Sequence, residues 1–175
     1  MKTAAVLGMF VASATLAGCS SLSEFDIDLP ASGEIPGQSS HLTGAQFTGY
    51  DDAPSTISQT MANKGVKSGD FKSATITAGS VSVAAASAQY MAYIQSFTIT
   101  VSSPGLPTVT IAQASMSAFA AKTATVAFTL PSVELKPYLV ASSVTFTATP
   151  VFGGADPPFA SVPLNVDLTL HIQIF

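Results

Sequence analysis

Apolar and polar residues alternate with a period of two along most of the chain from Phe71 to the C-terminus. A period of two is typical of antiparallel strands that have one buried side and one side in water. A shorter run of the same kind lies near the N-terminus, where Phe25, Ile27 and Leu29 alternate with acidic residues. The apolar members of the later runs are Ile76; Val81 and Val83; Phe97, Ile99 and Val101; Val109 and Ile111; Val126, Phe128 and Leu130; Val144, Phe146 and Ala148; and Leu164, Val166, Leu168, Leu170, Ile172 and Ile174.

Turn-forming residues separate these runs and indicate where the strands end. They are Pro30, Gly33, Pro36 and Gly37, then Ser103-Pro104-Gly105, Pro107, Pro131, Pro137, Gly153-Gly154 and Asp156-Pro157-Pro158. Short strands joined by such turns predict an all-β fold, an antiparallel two-sheet β-sandwich that is immunoglobulin-like in general architecture. A small β-barrel is the alternative.

One short helix is predicted near residues 56–64. Thr56 and Gln59 have the spacing of a capping box, Ile57 and Met61 give one apolar face, and Gly65 suits the helix end. The segments Ala84-Ala85-Ala86 and Phe119-Ala120-Ala121 fit either a short helical turn or a connecting loop.

The first 18 residues have the parts of a secretory leader. Lys2 supplies a positive charge, an uncharged apolar run follows, and small residues precede Cys19. The apolar run is too short to span a bilayer. We therefore divide the chain into a signal peptide (1–18), a tether with a possible first strand (19–45) and a β-sandwich domain (46–175).

Leu16-Ala17-Gly18-Cys19 resembles the lipobox of a bacterial lipoprotein precursor. The resemblance implies cleavage before Cys19 and acyl chains on its sulfur and new amino group, which anchor the protein to a membrane. In proteins of this kind, an aspartate directly after the cysteine favours retention at the inner membrane. This chain has Ser20 there, so the same resemblance implies the outer membrane. In a Gram-positive source the motif would imply the outer face of the cell membrane. The rest of the chain resembles no characterised family closely.

Charge is sparse and its balance is acidic. The part after the leader has five lysines against ten acidic residues, and it has no arginine and no tryptophan. Arginine is the usual bidentate reader of phosphate and of guanine edges, so this composition argues against a nucleic-acid partner. Since Cys19 is the only cysteine, its lipidation leaves no thiol for a disulfide or a nucleophile.

No catalytic constellation is evident, and we expect no enzyme activity. The two histidines are His41, in the tether, and His171, which shares a strand face with Asp167. Four residues of strand separate His171 from Asp167 by about 13 Å, too far for a hydrogen-bonded catalytic pair. Glu134 and Asp167 are the strand carboxylates that a glycoside hydrolase would need, but nothing in the sequence brings them together. Tyr90 and Tyr93 form the only close pair of tyrosines.

Acidic clusters give two weak metal-site candidates. Asp51 and Asp52 with Asp70 downstream form one, and the strand-face set Glu24, Asp26 and Asp28 forms the other. Asp26 and Asp28 are equally well explained as charged residues of an edge strand, which prevent it from pairing with another chain. We therefore predict no metal and no cofactor.

Threonine pairs of the form Thr-x-Thr recur, for example at Thr98/Thr100 and Thr147/Thr149. They resemble the ice-binding face of some antifreeze proteins, but their spacing along this chain is irregular, and threonine also suits any solvent-facing strand.

The sequence therefore favours a lipid-anchored envelope protein that serves as a non-catalytic interaction or structural module. Its partners would be the membrane, through Cys19, and an unidentified envelope or surface partner. The alternatives are a carrier that binds an apolar ligand between the sheets, and a hydrolase.

Overall fold

The structure is a computed structural model that describes residues 23–37, 50–153 and 161–175. Cys19 and the leader, His41, and most of the Gly153–Pro163 connection lie outside the described residues. Within them the strands are β1 (Glu24–Ile35), β2 (Ser73–Ser82), β3 (Ile94–Ser103), β4 (Leu106–Ser115), β5 (Thr125–Ala127), β6 (Thr145–Phe152) and β7 (Val162–Gln173). The helices are α1 (Ala53–Asn63), α2 (Met116–Phe119), α3 (Lys136–Leu139) and a 3₁₀ helix (Ala85–Tyr93).

The strands form two antiparallel sheets. Sheet A has the order β1-β7-β2-β5, and sheet B has the order β4-β3-β6. The predicted two-sheet sandwich is therefore confirmed. The alternative of one closed sheet is wrong, because the strands are divided between two separate sheets.

The core lies between the inner faces of the sheets, as the alternating pattern predicts. Every second residue of β7 from Val162 to Ile172 is buried, and so are Phe97, Ile99 and Val101 of β3. Phe97 also meets Phe128 from the segment after β5, with ring centroids 5.5 Å apart. Burial of these apolar side chains is the main stabilising term, since the described residues contain no cysteine.

A bulge explains why the alternation in β2 changes phase. Ile76 pairs with Leu170, whereas Ala78 pairs with Thr169, so Thr77 is an extra residue on β2. Inward positions are even-numbered before the bulge and odd-numbered after it, and both Ile76 and Val81 are buried.

The first strand is longer than predicted. Pro30 was expected to end it, but β1 pairs with β7 without interruption from Glu24 to Ile35. Because β1 is an edge strand with one neighbour, the missing N–H of a proline is tolerated there. Residues 24–35 are therefore part of sheet A, and its outer edge is acidic.

Helix α1 begins earlier than the predicted capping box. The helix starts at Ala53, with Asp52 at the N-cap position and Pro54 in the first turn. The N–H of Thr56 donates to the Asp52 carbonyl at 2.9 Å, so Thr56 lies inside the helix rather than capping it. A proline in the first turn needs no hydrogen-bond acceptor, which favours the earlier start.

The predicted helix end and apolar face are correct. Gly65 has a φ of +72°, and the N–H groups of Gly65 and Val66 donate to the carbonyls of Ala62 and Met61, each at 2.9 Å. This is the Schellman arrangement, in which glycine avoids the cost of a left-handed backbone. Ile57 and Met61 are both buried.

The two alanine-rich segments with two possible structures are only partly helical. Ala85 and Ala86 begin the 3₁₀ helix, whereas Phe119 ends α2 and Ala120 and Ala121 form the turn after it.

The predicted strand around Val126, Phe128 and Leu130 is short because the chain crosses between the sheets there. The Phe128 N–H donates to the Gly79 carbonyl of β2, and Thr129 then pairs with Gln113 at the edge of sheet B.

Candidate functional site

Sheet B carries no ionisable side chain. None of β3, β4 and β6 contains Asp, Glu, Lys, Arg or His. Their alternation directs most apolar residues inward and serines, threonines and Gln113 outward, although Val151 of β6 is exposed as well. We call these outward polar residues the hydroxyl face: Ser96, Thr98, Thr100, Ser102, Thr110, Gln113, Ser115, Thr145, Thr147 and Thr149.

The register of sheet B lines up the hydroxyl groups across three strands. Thr98 lies opposite Thr149 on one side and Gln113 on the other. Thr100 lies opposite Thr147 and Thr110 in the same way. Neighbouring strands are about 4.8 Å apart and successive outward residues about 6.7 Å apart, so the face presents a two-dimensional array.

Only some of the Thr-x-Thr pairs contribute to this array. Thr98/Thr100 and Thr147/Thr149 come together on neighbouring strands, whereas Thr75 lies on β2 in sheet A. The resemblance to an ice-binding face therefore extends to the threonine pairs of sheet B, without the regular solenoid repeat.

A depression of about 340 Å³ lies at the β3–β4 side of the hydroxyl face. Four residues with hydroxyl groups, Gln113 and Ala114 line it; the residues are Ser96, Thr98, Gln113, Ala114, Ser115 and Thr129. The Ser115 and Ser117 hydroxyls are 2.9 Å apart and share a hydrogen bond beside it. Such a lining donates and accepts hydrogen bonds without carrying charge.

The outer face of sheet A is acidic instead. Glu24, Asp26, Asp28 and Glu34 project from the outward positions of β1, and Asp167 projects from β7. The Thr169 hydroxyl donates to Asp28 at 3.3 Å across the two strands.

The same pairing places His171 between two carboxylates. Its Nδ1 lies 2.8 Å from Asp26 Oδ1, and its Nε2 lies 3.6 Å from Glu24 Oε2. The partners of His171 are therefore on the neighbouring strand, not at Asp167 on its own strand. In a hydrolytic triad the second ring nitrogen faces a nucleophile, but here it faces Glu24. This partly exposed cluster is a cross-strand polar contact between β7 and β1.

The carboxylate of Glu134 makes structural contacts. Its Oε1 accepts hydrogen bonds from the N–H groups of Ala74 and Lys136, each at 2.8 Å. The Lys136 ammonium donates to the Phe71 carbonyl and lies 5.4 Å from the centre of the Phe71 ring. Glu134 and Lys136 therefore attach the segment before α3 to the start of β2.

Among the described residues, no group of three His, Cys, Asp or Glu side chains is arranged to hold a metal ion. The predicted loop candidates occupy separate turns. Asp52 precedes α1, and its carbonyl accepts the Ser55 hydroxyl at 2.8 Å. Asp70 closes a turn through its N–H and the Lys67 carbonyl, 3.0 Å apart.

A groove runs between α1 and α3, outside the space between the sheets. Its main part has a volume of about 510 Å³, and a smaller part of about 120 Å³ continues it toward Val144. The two parts share Ile57, Ser58 and Leu139. No pattern in the sequence indicates this groove, because it depends on how α3 packs beside α1.

Tyr90 and Tyr93 line another cavity, of about 400 Å³, together with Lys122 and Gly153. The two tyrosines are close together in the sequence. Only the structure shows that the 3₁₀ helix brings them beside Gly153, at the end of β6.

Tyr50 is buried, and among the described residues its hydroxyl has no hydrogen-bond partner. Its ring lies 6.2 Å from that of Phe146. Burial raises the pKa of the Tyr50 hydroxyl above its ordinary value, and the negative charge of Asp167 raises it further. The hydroxyl therefore stays neutral in the folded protein.

No helix in the described part of the chain combines the length and the apolar character needed to cross a membrane. No protein-family model matches the chain, and comparison with curated proteins and with solved structures finds no match. The functional argument therefore depends on the surfaces described above.

Proposed function

We propose that the protein is a lipid-anchored, non-catalytic interaction module of the bacterial envelope, which binds its partner through the hydroxyl face of sheet B. The resemblance of Leu16-Ala17-Gly18-Cys19 to a lipobox supports the anchoring part of this proposal. The single observation that carries the binding part is the absence of ionisable side chains from all three strands of sheet B.

The chemistry of the hydroxyl face favours a neutral, hydroxyl-rich partner. Burial of a charge without a partner costs several kcal/mol, a penalty that an uncharged face avoids. Buried hydroxyl groups still need hydrogen bonds, and a partner with many hydroxyl groups supplies both donors and acceptors. A neutral polysaccharide has this chemistry, and the depression beside Thr98 offers room for a projecting group.

The contacts of the candidate catalytic residues support a non-catalytic role. Glu134 is held by backbone N–H groups, and both ring nitrogens of His171 face carboxylates.

Photo-crosslinking in intact cells tests the binding surface. A benzophenone amino acid replaces Thr147, an exposed residue of the hydroxyl face, and the matched control replaces Asp28 on the outer face of sheet A. We expect a carbohydrate adduct from position 147 and none from position 28. An adduct from position 28 alone would overturn the proposed surface. A protein adduct from position 147 would overturn the proposed partner.

Membrane fractionation of a Cys19→Ala variant, in which a leader that is cleaved without lipidation replaces residues 1–18, tests the anchor separately. We expect the variant to leave the membrane fraction, because the substitution removes the acylated side chain. Its retention in the membranes would refute lipidation as the anchor and would leave the crosslinking result intact.

A further inference from the structure

The groove between α1 and α3 has an apolar floor. Ile57, Met61 and Val66 form this floor and are 3%, 5% and 8% exposed, while the half-buried Leu139 of α3 forms the opposite wall. The main part, about 510 Å³, is within the range of small-molecule sites.

The charge that the described residues bring to the groove lies at one end. Lys67 is the only charged residue among the described residues that line either part, and Ser68 lies next to it. The far end, at Pro54 and Val144, carries hydroxyl groups and apolar groups but no charge. The groove thus combines an apolar floor with a single positive charge at one end.

We propose that the α1–α3 groove binds a fatty acid, with its hydrocarbon chain along the apolar floor and its carboxylate at Lys67. A hydrocarbon chain gains free energy in proportion to the apolar area that it buries. The Lys67 ammonium complements a carboxylate and opposes a cationic head group. This site is distinct from the hydroxyl face, and from a cavity between the sheets.

Calorimetric titration with dodecanoate below its micelle concentration tests the proposal. The full chain with Cys19→Ala serves as the protein, since it carries no acyl chains of its own. We expect saturable binding with one dodecanoate per protein, and at least tenfold weaker binding of dodecyltrimethylammonium. No saturable binding of dodecanoate, or equal binding of the two probes, would overturn the proposal.

Two variants locate the site. Ala62→Trp places a large side chain in the groove from an exposed position of α1, so the fold is expected to tolerate it. The chain has no other tryptophan, so the fluorescence of this variant also reports its environment. We expect at least tenfold weaker dodecanoate binding. Unchanged affinity in folded Ala62→Trp protein would place dodecanoate elsewhere and refute the site.

Lys67→Glu tests the head-group contact, and Lys64→Glu is its matched control. Lys64 is an exposed lysine just after α1 that does not line the groove. The two variants change the net charge equally, so a general electrostatic effect would weaken binding equally. We expect a loss of at least tenfold for Lys67→Glu alone. Equal losses would refute the assigned position of the carboxylate, and neither result bears on the hydroxyl face.

Discussion

Thr98 on the central strand of sheet B lies directly opposite Thr149 on β6. The two residues are 51 positions apart in sequence, and only the register of β3 against β6 makes them neighbours. With Thr100 and Thr147 beside them, they form the middle of the hydroxyl face. Because this face carries no charge, we expect partner binding to it to depend little on salt concentration.

Binding of envelope polysaccharide by the Cys19→Ala protein should be nearly independent of ionic strength. Salt screens charge interactions, and raising it from about 0.05 M to about 0.5 M shortens their range severalfold, but sheet B offers no charge to screen. Cosedimentation with isolated polysaccharide at both salt concentrations measures this. Loss of binding at high salt would instead implicate the acidic outer face of sheet A.

Thr98→Lys should weaken the same binding at least tenfold, because an unpaired ammonium would be buried in the contact. Thr98→Ser keeps the hydroxyl and should retain most of the affinity. Asp28→Lys makes a larger charge change on sheet A and serves as the control. If Asp28→Lys weakens cosedimentation as much as Thr98→Lys does, the binding surface is not sheet B.

Glu134→Ala should destabilise the fold by about 1–3 kcal/mol. The substitution leaves the N–H groups of Ala74 and Lys136 without their acceptor, and Ala74 is fully buried. Glu134→Gln keeps an acceptor oxygen and should cost less. Urea unfolding measures both variants. If Glu134→Ala is as stable as the unsubstituted protein, these hydrogen bonds make no net contribution to stability.

Gly79→Ala should also destabilise the fold, by about 1–3 kcal/mol, through overpacking. A Cβ at this position would lie 2.7 Å from Leu168 Cδ2 and 3.1 Å from Phe128 Cδ2. Because shortening Leu168 relieves the closer contact, Gly79→Ala should cost less in a Leu168→Ala background. A double-mutant cycle measures this coupling, and strict additivity would contradict the steric explanation.

Tyr50 should contribute a loss of stability at alkaline pH. Its folded-state pKa is raised, so the neutral hydroxyl is favoured in the folded protein, and ionisation favours unfolding. The stabilising contribution of the neutral Tyr50 hydroxyl is fully present below the unfolded-state pKa, about 10, and it is lost as pH rises above that value. Tyr50→Phe should therefore unfold less readily than the unsubstituted protein above about pH 10.

Tyr138→Phe is the matched control near neutral pH. The Tyr138 hydroxyl donates to the Pro107 carbonyl at 2.8 Å, so its removal should cost about 1 kcal/mol. The Tyr50 hydroxyl has no partner among the described residues, so its removal should cost nothing or stabilise the fold. Urea unfolding from pH 7 to pH 11 compares the two, and equal destabilisation by both substitutions would contradict the difference in their hydroxyl environments.

Much of the fold could be predicted from local pattern. The period of two identified the buried positions of β3 and β7, and Gly65 marked the end of α1. The two errors have different causes, because the edge position of β1 is tertiary whereas the start of α1 is local. Pro30 would end a strand only where a neighbouring strand needs the N–H that proline lacks, and Thr56 would cap a helix only if Pro54 did not start it earlier.

The sequence by itself determined which side of each strand is buried, because side-chain alternation is a property of one strand. It also determined the absence of charge on three of the strands and the acidic character of β1. Only the tertiary structure decided that those three strands form one sheet. Strand order, register and the packing of α3 beside α1 depend on contacts between residues far apart in the chain. Those contacts assemble the hydroxyl face, place His171 against Asp26 and form the groove along α1.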